Sequence, residues 1–238
     1  VRAFCRAGID GVLIAPPCFG MYAVCARVQN APLVEVPLID EDDRFSLDLT
    51  AFEDLIAGGD VRVVFLCSPA NPTGQAVARK DIVRLAKACA GRAVLVVDEA
   101  YAEFSSEKSV VDLIDTYPHV IVLRTLSKAH ALAGARIGTV IADKDVIAVL
   151  RSLQAPYPVP APSAKVALDA LSDVALAEAR ARIATTLRER SALLKALRAT
   201  RGVRAVYASE GNFLLARFDD ANAAIERFLA GGVVVRDM

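Results

Sequence analysis

The sequence predicts an α/β fold in which a mainly parallel sheet is flanked by helices. Three apolar runs, 61–67, 93–97 and 120–123, have the length and composition of strands buried on both faces. Helical patterns separate the runs, as over 78–90, and this alternation continues to about Ala142. Because an open sheet of this kind binds ligands beyond the carboxyl ends of its strands, the residues that follow the apolar runs are the first candidates for a functional site.

A proline-rich hinge is predicted to divide the chain into two domains. Four prolines lie between Pro156 and Pro162, and proline lacks the backbone donor that helices and central strands require. We therefore expect residues 1–155 to form a large domain, and residues 156–238 to form a linker, helices and part of a smaller α+β domain. The elements predicted in the second region are helices over 163–201, with a break near 172–173, and over 221–230, and strands over 203–208, 212–218 and 233–236.

Composition limits the class of function and the cellular compartment. The chain has 28 basic and 28 acidic side chains, and this zero net charge does not predict a nucleic-acid partner. The five cysteines are odd in number and lack the C-x-x-C spacing of metal sites, so we expect no metal and a reducing compartment. No apolar run approaches the roughly 20 residues of a membrane span, and the start of the chain lacks the pattern of a signal peptide. We therefore expect a cytoplasmic protein with no membrane partner.

The segment Thr125-Leu126-Ser127-Lys128, followed by Arg136, predicts a site for a phosphorylated cofactor that carries an aldehyde. The lysine amine can condense with an aldehyde as a Schiff base, and the two hydroxyls and the guanidinium can bind a phosphate dianion. This combination indicates pyridoxal 5'-phosphate. Lys128 would anchor the cofactor and, once displaced by the substrate amine, would act as the base that moves a proton.

Polar residues after the other two apolar runs complete the predicted site. Asn71 follows the first run, and Asp98 and Tyr101 follow the second, so all three are expected at the same sheet edge as Lys128. The Asp98 carboxylate can keep a pyridine nitrogen protonated, and Asn71 and Tyr101 can hydrogen-bond the phenolic oxygen of the ring. Each residue alone has an ordinary structural explanation, as a turn, a helix cap or a core side chain. Their joint occurrence in this order favours the functional interpretation.

Two glutamates near this edge are interpreted as structural. Glu99 and Glu103 follow the same apolar run as Asp98, and a pair of carboxylates could serve acid–base chemistry. Their neighbours account for them as strand-end and surface positions, so we do not include them in the predicted site.

The motifs that carry the predicted site resemble a known enzyme family. The chain is similar to the fold-type I pyridoxal-phosphate aminotransferases, and among them to the histidinol-phosphate aminotransferase family. The matching segments are Pro16–Tyr22, Ser68–Gln75, Asp98–Tyr101, Arg124–Gly138, Ala155–Pro160 and Glu210–Phe218. The resemblance implies that Phe19 stacks on the pyridine ring and that Arg236, at the end of an apolar run, binds the anionic group of the substrate.

The resemblance also implies an activity and a partner. It implies amino transfer between histidinol phosphate or imidazole-acetol phosphate and glutamate or 2-oxoglutarate, in histidine biosynthesis, by a homodimer. It further implies that family segments are missing at both ends, so we expect the isolated 238-residue segment to be inactive. One alternative is a related enzyme, a threonine-phosphate decarboxylase or an aromatic amino-acid aminotransferase. Another is a non-catalytic effector-binding domain of the same fold, which the joint presence of Lys128, Asp98 and Arg136 disfavours.

Overall fold

The computed structural model describes all residues from Val1 to Met238. In chain order its strands and α-helices are β1 (Gly11–Ile14), α1 (Met21–Val28), β2 (Leu33–Glu35), β3 (Ile39–Asp40), β4 (Phe45–Ser46), α2 (Leu49–Ala57), β5 (Val61–Cys67), α3 (Arg79–Cys89), β6 (Val94–Asp98), β7 (Val120–Thr125), β8 (Gly138–Ala142), α4 (Lys144–Ser152), α5 (Ala161–Ala170), α6 (Asp173–Arg198), β9 (Val203–Val206), β10 (Ala216–Phe218) and α7 (Ala221–Ala230).

Six strands form the central sheet, in the order β2-β1-β5-β6-β7-β8. All pairs among the first five strands are parallel, and β8 runs antiparallel to β7. This arrangement confirms the predicted fold class. In the register of the central strands, Cys67 lies opposite Asp98, and Asp98 lies opposite Leu123. The loops that leave β5, β6 and β7 therefore emerge side by side at one edge of the sheet.

Helices cover both faces of the sheet, and the alternation of side chains along each strand decides what each face contacts. In β5, Val64 and Leu66 belong to the core formed with α2 and α3, whereas Val63 and Cys67 belong to the core formed with α1. Both sets are buried. A parallel strand covered on both faces is nearly continuous in apolar residues, which is why the run over 61–67 predicts the strand correctly.

The C-terminal region is mostly helical, and its strands are fewer than predicted. The helix expected over 163–201 is present as α5 and α6, with the break near the predicted position. None of the helices, long α6 included, combines the length and apolar character needed to cross a bilayer. The strand predicted over 212–218 is reduced to Ala216–Phe218, which pairs with β9. The strand predicted over 233–236 is wrong, because this exposed segment has no neighbouring strand with which to pair.

The segment around Ser209 packs against the loop that follows β5. Gly74 has a φ of +83°, and a Cβ built on it would lie 2.5 Å from the Ser209 Oγ. The Glu210 amide donates a hydrogen bond of 2.6 Å to the Gly74 carbonyl. Tyr207 is buried, and its ring centroid lies 4.8 Å from that of Phe45. The backbone conformation and the close approach of the C-terminal region both require glycine at position 74.

We expect Gly74→Ala to destabilise the fold more than Gly59→Ala. Both glycines have positive φ, +83° and +87°, and a side chain in that conformation costs about 1 kcal/mol or more. Only at Gly74 does the added methyl also collide with Ser209, and overpacking costs roughly a further 1–3 kcal/mol. Urea unfolding measures both losses. Ser209→Gly should recover part of the Gly74→Ala loss, and equal losses for the two alanines would contradict this packing.

Candidate active site

The loop that leaves β7 carries the predicted anchor lysine. The Thr125 Oγ1 lies 2.9 Å from the Ser127 Oγ, and the Ser127 amide donates to the Thr125 Oγ1 at 3.1 Å. This short turn holds the two hydroxyls together and leaves the Lys128 side chain exposed. The Lys128 Nζ lies 5.2 Å from the centroid of the Tyr101 ring, within range of a cation–π interaction.

A hydrogen bond joins the loops that leave β5 and β6. The Asn71 Nδ2 donates to the Tyr101 hydroxyl at 3.0 Å. Tyr101 is buried, and its ring packs edge-on against Phe213 of the C-terminal region, with the centroids 5.1 Å apart. The structure therefore brings Asn71, Tyr101 and Lys128 together, although they follow three different strands.

Asp98 ends β6, and its carboxylate is held by two donors. The Oδ1 accepts a hydrogen bond from the Ala100 amide at 3.1 Å, and the Oδ2 accepts one from the Tyr22 hydroxyl at 2.7 Å. Burial raises the pKa of the Asp98 carboxyl above its ordinary value, although both hydrogen bonds and the positive charge of Lys128 favour the ionised form. A cationic ring placed against Asp98 would stabilise its ionised form further.

Tyr22 belongs to this site, although the sequence motifs did not predict it. It lies in the first turn of α1, is 5% exposed, and stacks on Phe65 with ring centroids 4.6 Å apart. Phe19, the predicted stacking residue, packs edge-on against Tyr22 at 5.6 Å and remains 41% exposed. The only sequence signal for Tyr22 is its place in the resembling segment Pro16–Tyr22, because a tyrosine among apolar residues otherwise predicts core packing.

The two glutamates interpreted as strand-end and surface positions instead form an ion-pair network. Glu99 is only 3% exposed. Its carboxylate accepts hydrogen bonds from the Val110 amide at 2.8 Å and the Ser109 hydroxyl at 2.7 Å, and it lies 3.1 Å from the Arg124 guanidinium. Arg124 also reaches the Glu103 Oε1 at 2.7 Å. A buried carboxylate requires such partners, and this set ties the end of β7 to the loop after β6.

The two predicted arginines lie outside the hydrogen-bonded part of the site. Arg136 has a φ of +57° and is exposed, and its Nη1 donates to the Ala133 carbonyl at 2.9 Å. The carbonyl of the next residue, Ile137, accepts a hydrogen bond from the Thr125 hydroxyl at 3.1 Å. The backbone at Arg136 is therefore close to the hydroxyls of Thr125 and Ser127. Arg236 is exposed and forms neither an ion pair nor a side-chain hydrogen bond. Its assignment to a substrate group stays a prediction.

The donor set fits pyridoxal 5'-phosphate. An amine on Lys128, with two hydroxyls and a guanidinium near it in sequence, matches an aldehyde and a phosphate. The half-buried carboxylate of Asp98, whose pKa is raised by burial, matches a ring nitrogen that must keep its proton. The joined amide and phenol of Asn71 and Tyr101 match the phenolic oxygen of the ring.

Comparison with known proteins agrees with this geometry. The family model "Aminotransferase class I and II" matches residues 1–237. The chain is 55% identical over 237 residues to the histidinol-phosphate aminotransferase of Xanthomonas euvesicatoria pv. vesicatoria, and the match covers 100% of the chain and 65% of that protein. The corresponding protein of Stenotrophomonas maltophilia is 53% identical, with the same coverage. The chain therefore spans 65% of the length of these relatives.

Solved structures show the same fold. The histidinol-phosphate aminotransferase of Sinorhizobium meliloti in complex with pyridoxal-5'-phosphate superposes with a TM-score of 0.83 at 27% identity, covering 99% of this chain and 63% of that chain. The L-threonine-O-3-phosphate decarboxylase of Porphyromonas gingivalis gives a TM-score of 0.78, covering 96% of this chain and 67% of that chain. Its identity of 24% makes that likeness one of fold alone. The family match over nearly the whole chain confirms the resemblance inferred from the motifs: this chain belongs to the aminotransferase class I and II family.

Proposed function

We propose that the protein containing this chain is a pyridoxal-phosphate-dependent aminotransferase of histidine biosynthesis. It would move an amino group between histidinol phosphate or imidazole-acetol phosphate and glutamate or 2-oxoglutarate. The observation that carries the proposal is the convergence of Asn71, Asp98, Tyr101 and Lys128 on one edge of the sheet, from three strand ends. Identities of 55% and 53% to histidinol-phosphate aminotransferases over the whole chain support the substrate class.

Each residue of the site has a defined task in this reaction. Bound pyridoxal phosphate supplies an electron-withdrawing ring that stabilises negative charge on the substrate carbon. Lys128 would hold the cofactor through Nζ, and its free amine would be the base at that carbon. Asp98 would keep the ring nitrogen protonated, and Asn71 and Tyr101 would hold the phenolic oxygen. We assign Thr125, Ser127 and Arg136 to binding the cofactor phosphate. Phe19 is assigned to the face of the ring, and Arg236 to the anionic group of the substrate.

We also propose a cytoplasmic homodimer. All five cysteines are free in the structure, as a reducing compartment favours. Large apolar side chains stand exposed around α5 and the start of α6, among them Leu168 and Val174, each 72% exposed. Exposed apolar residues in such number are typical of a surface that a partner covers.

We expect borohydride to attach pyridoxal phosphate to Lys128 in the product of the complete reading frame. Lys128→Ala should abolish both the label and amino transfer from glutamate, and Lys128→Arg should not restore them, since a guanidinium does not readily lose its proton. Lys87→Ala, on α3, is the matched control and should leave both unchanged. Peptide mapping locates the label, and a label on a different lysine would remove Lys128 from this role.

We expect Asp98→Asn to lower turnover, and to make the cofactor-free protein lose less stability than the parent as pH rises. Turnover should fall strongly, because a neutral amide cannot hold the ring proton. In the cofactor-free protein, a carboxyl with a raised pKa contributes stability below its unfolded pKa of about 4, and this contribution is lost as pH rises through the folded value. The parent should therefore lose stability relative to Asp98→Asn as pH increases above about 4. Urea unfolding from pH 4 to 8 measures the difference, and a pH-independent difference would contradict it.

A further inference from the structure

The Tyr22 hydroxyl is placed where packing does not require a polar group. The ring stacks on Phe65 of β5 with the planes 7° apart, and Phe19 packs edge-on against it. A phenylalanine would make the same ring contacts. A buried hydroxyl costs free energy unless it finds a partner, so its function is given by what it donates to.

The hydroxyl donates to one charged group. Its hydrogen bond to the Asp98 Oδ2 is 2.7 Å long, as expected for a charge-assisted bond. The neighbouring Cys67 thiol donates instead to the Pro69 carbonyl, at 3.3 Å. Burial raises the pKa of Tyr22 far above its ordinary value, so the hydroxyl keeps its proton and remains a donor at every physiological pH.

Hydrogen-bond donors to both oxygens fix the orientation of the Asp98 carboxylate. The Ala100 amide holds the Oδ1 and Tyr22 holds the Oδ2, so rotation of the Asp98 carboxylate would break at least one bond. Each oxygen of an ionised carboxylate has two acceptor sites, so both donors leave a site free for a third. The carboxylate therefore has a fixed orientation and can still accept a hydrogen bond from a ligand.

We propose that Tyr22 is a positioning residue, whose hydroxyl fixes the Asp98 carboxylate toward the ring nitrogen of the cofactor. This inference rests on the proposed function. Tyr22 lies on α1, so the position of this helix on the sheet affects the electrostatic environment of the cofactor. Phe19, three residues earlier, packs against the Tyr22 ring. Tyr22 therefore contacts both Phe19, the proposed ring-face residue, and Asp98, the residue proposed to hold the ring proton.

The test compares Tyr22→Phe with Tyr117→Phe. The first change keeps the ring and removes only the hydroxyl that binds Asp98, and the second removes a hydroxyl that makes no hydrogen bond in the structure. A hydrogen bond to a charged group corresponds to roughly a 10- to 100-fold effect, so kcat should fall by about that factor in Tyr22→Phe, with the KM for glutamate little changed. Tyr117→Phe should stay within about twofold of the parent.

A second readout needs no cofactor. Without its donor from Tyr22, ionised Asp98 is less favoured, so its pKa should rise further and the stability of the cofactor-free protein should fall more steeply between pH 4 and 8. The charged or titratable groups that face Asp98 besides Tyr22 are Lys128, Glu99 and Cys67, and all three stay in place in this variant. In the Asp98→Asn background, Tyr22→Phe should leave the pH dependence unchanged.

The outcomes separate this inference from the proposed function. If borohydride labels Lys128 but Tyr22→Phe behaves like Tyr117→Phe in both kcat and pH dependence, the positioning role is overturned and the proposed function stands. If the label is absent from Lys128, the proposed function fails and the inferred role fails with it. Selective loss of kcat together with the steeper pH dependence supports the inference.

Discussion

The parallel register of β5, β6 and β7 is the constraint on which the site depends. Cys67, Asp98 and Leu123 lie level across the three strands, so each strand releases its polar loop at the same height. Backbone pairing and the burial of both faces set this register, not the site residues themselves. The hydrogen bond from Asn71 to Tyr101 is a consequence, since it spans two loops that the sheet has already brought together.

The electrostatics of the site follow from its place at the end of a buried sheet. Asp98 is held by the Tyr22 hydroxyl and a backbone amide, yet burial still raises its pKa. The fold thus accepts a charge that is unfavourable by itself and that a cationic ligand would stabilise. Glu99, one residue later, is buried too, and Arg124 and two hydrogen-bond donors compensate it within the protein. Adjacent carboxylates therefore have different tasks, one for a ligand and one for the loops.

Features that local pattern controls could be predicted from the sequence, and features that distant contacts control could not. The strand over 61–67 is correct because burial on both faces leaves a continuous apolar run. The bond between Tyr22 and Asp98 joins residues 76 positions apart, and no local pattern encodes it. The burial of Glu99 depends on an arginine from the next strand. The predicted strand over 233–236 has suitable residues but no partner, so propensity alone misleads there.

A crystal structure of the complete protein, after borohydride reduction with pyridoxal phosphate, would show directly whether the three strand ends form one cofactor site. We expect a covalent bond from the cofactor to the Lys128 Nζ, the ring nitrogen within hydrogen-bonding distance of the Asp98 carboxylate, and the phosphate at Thr125 and Ser127. A ring nitrogen turned away from Asp98, or a phosphate held by other loops, would contradict the claim that these three strand ends form one site.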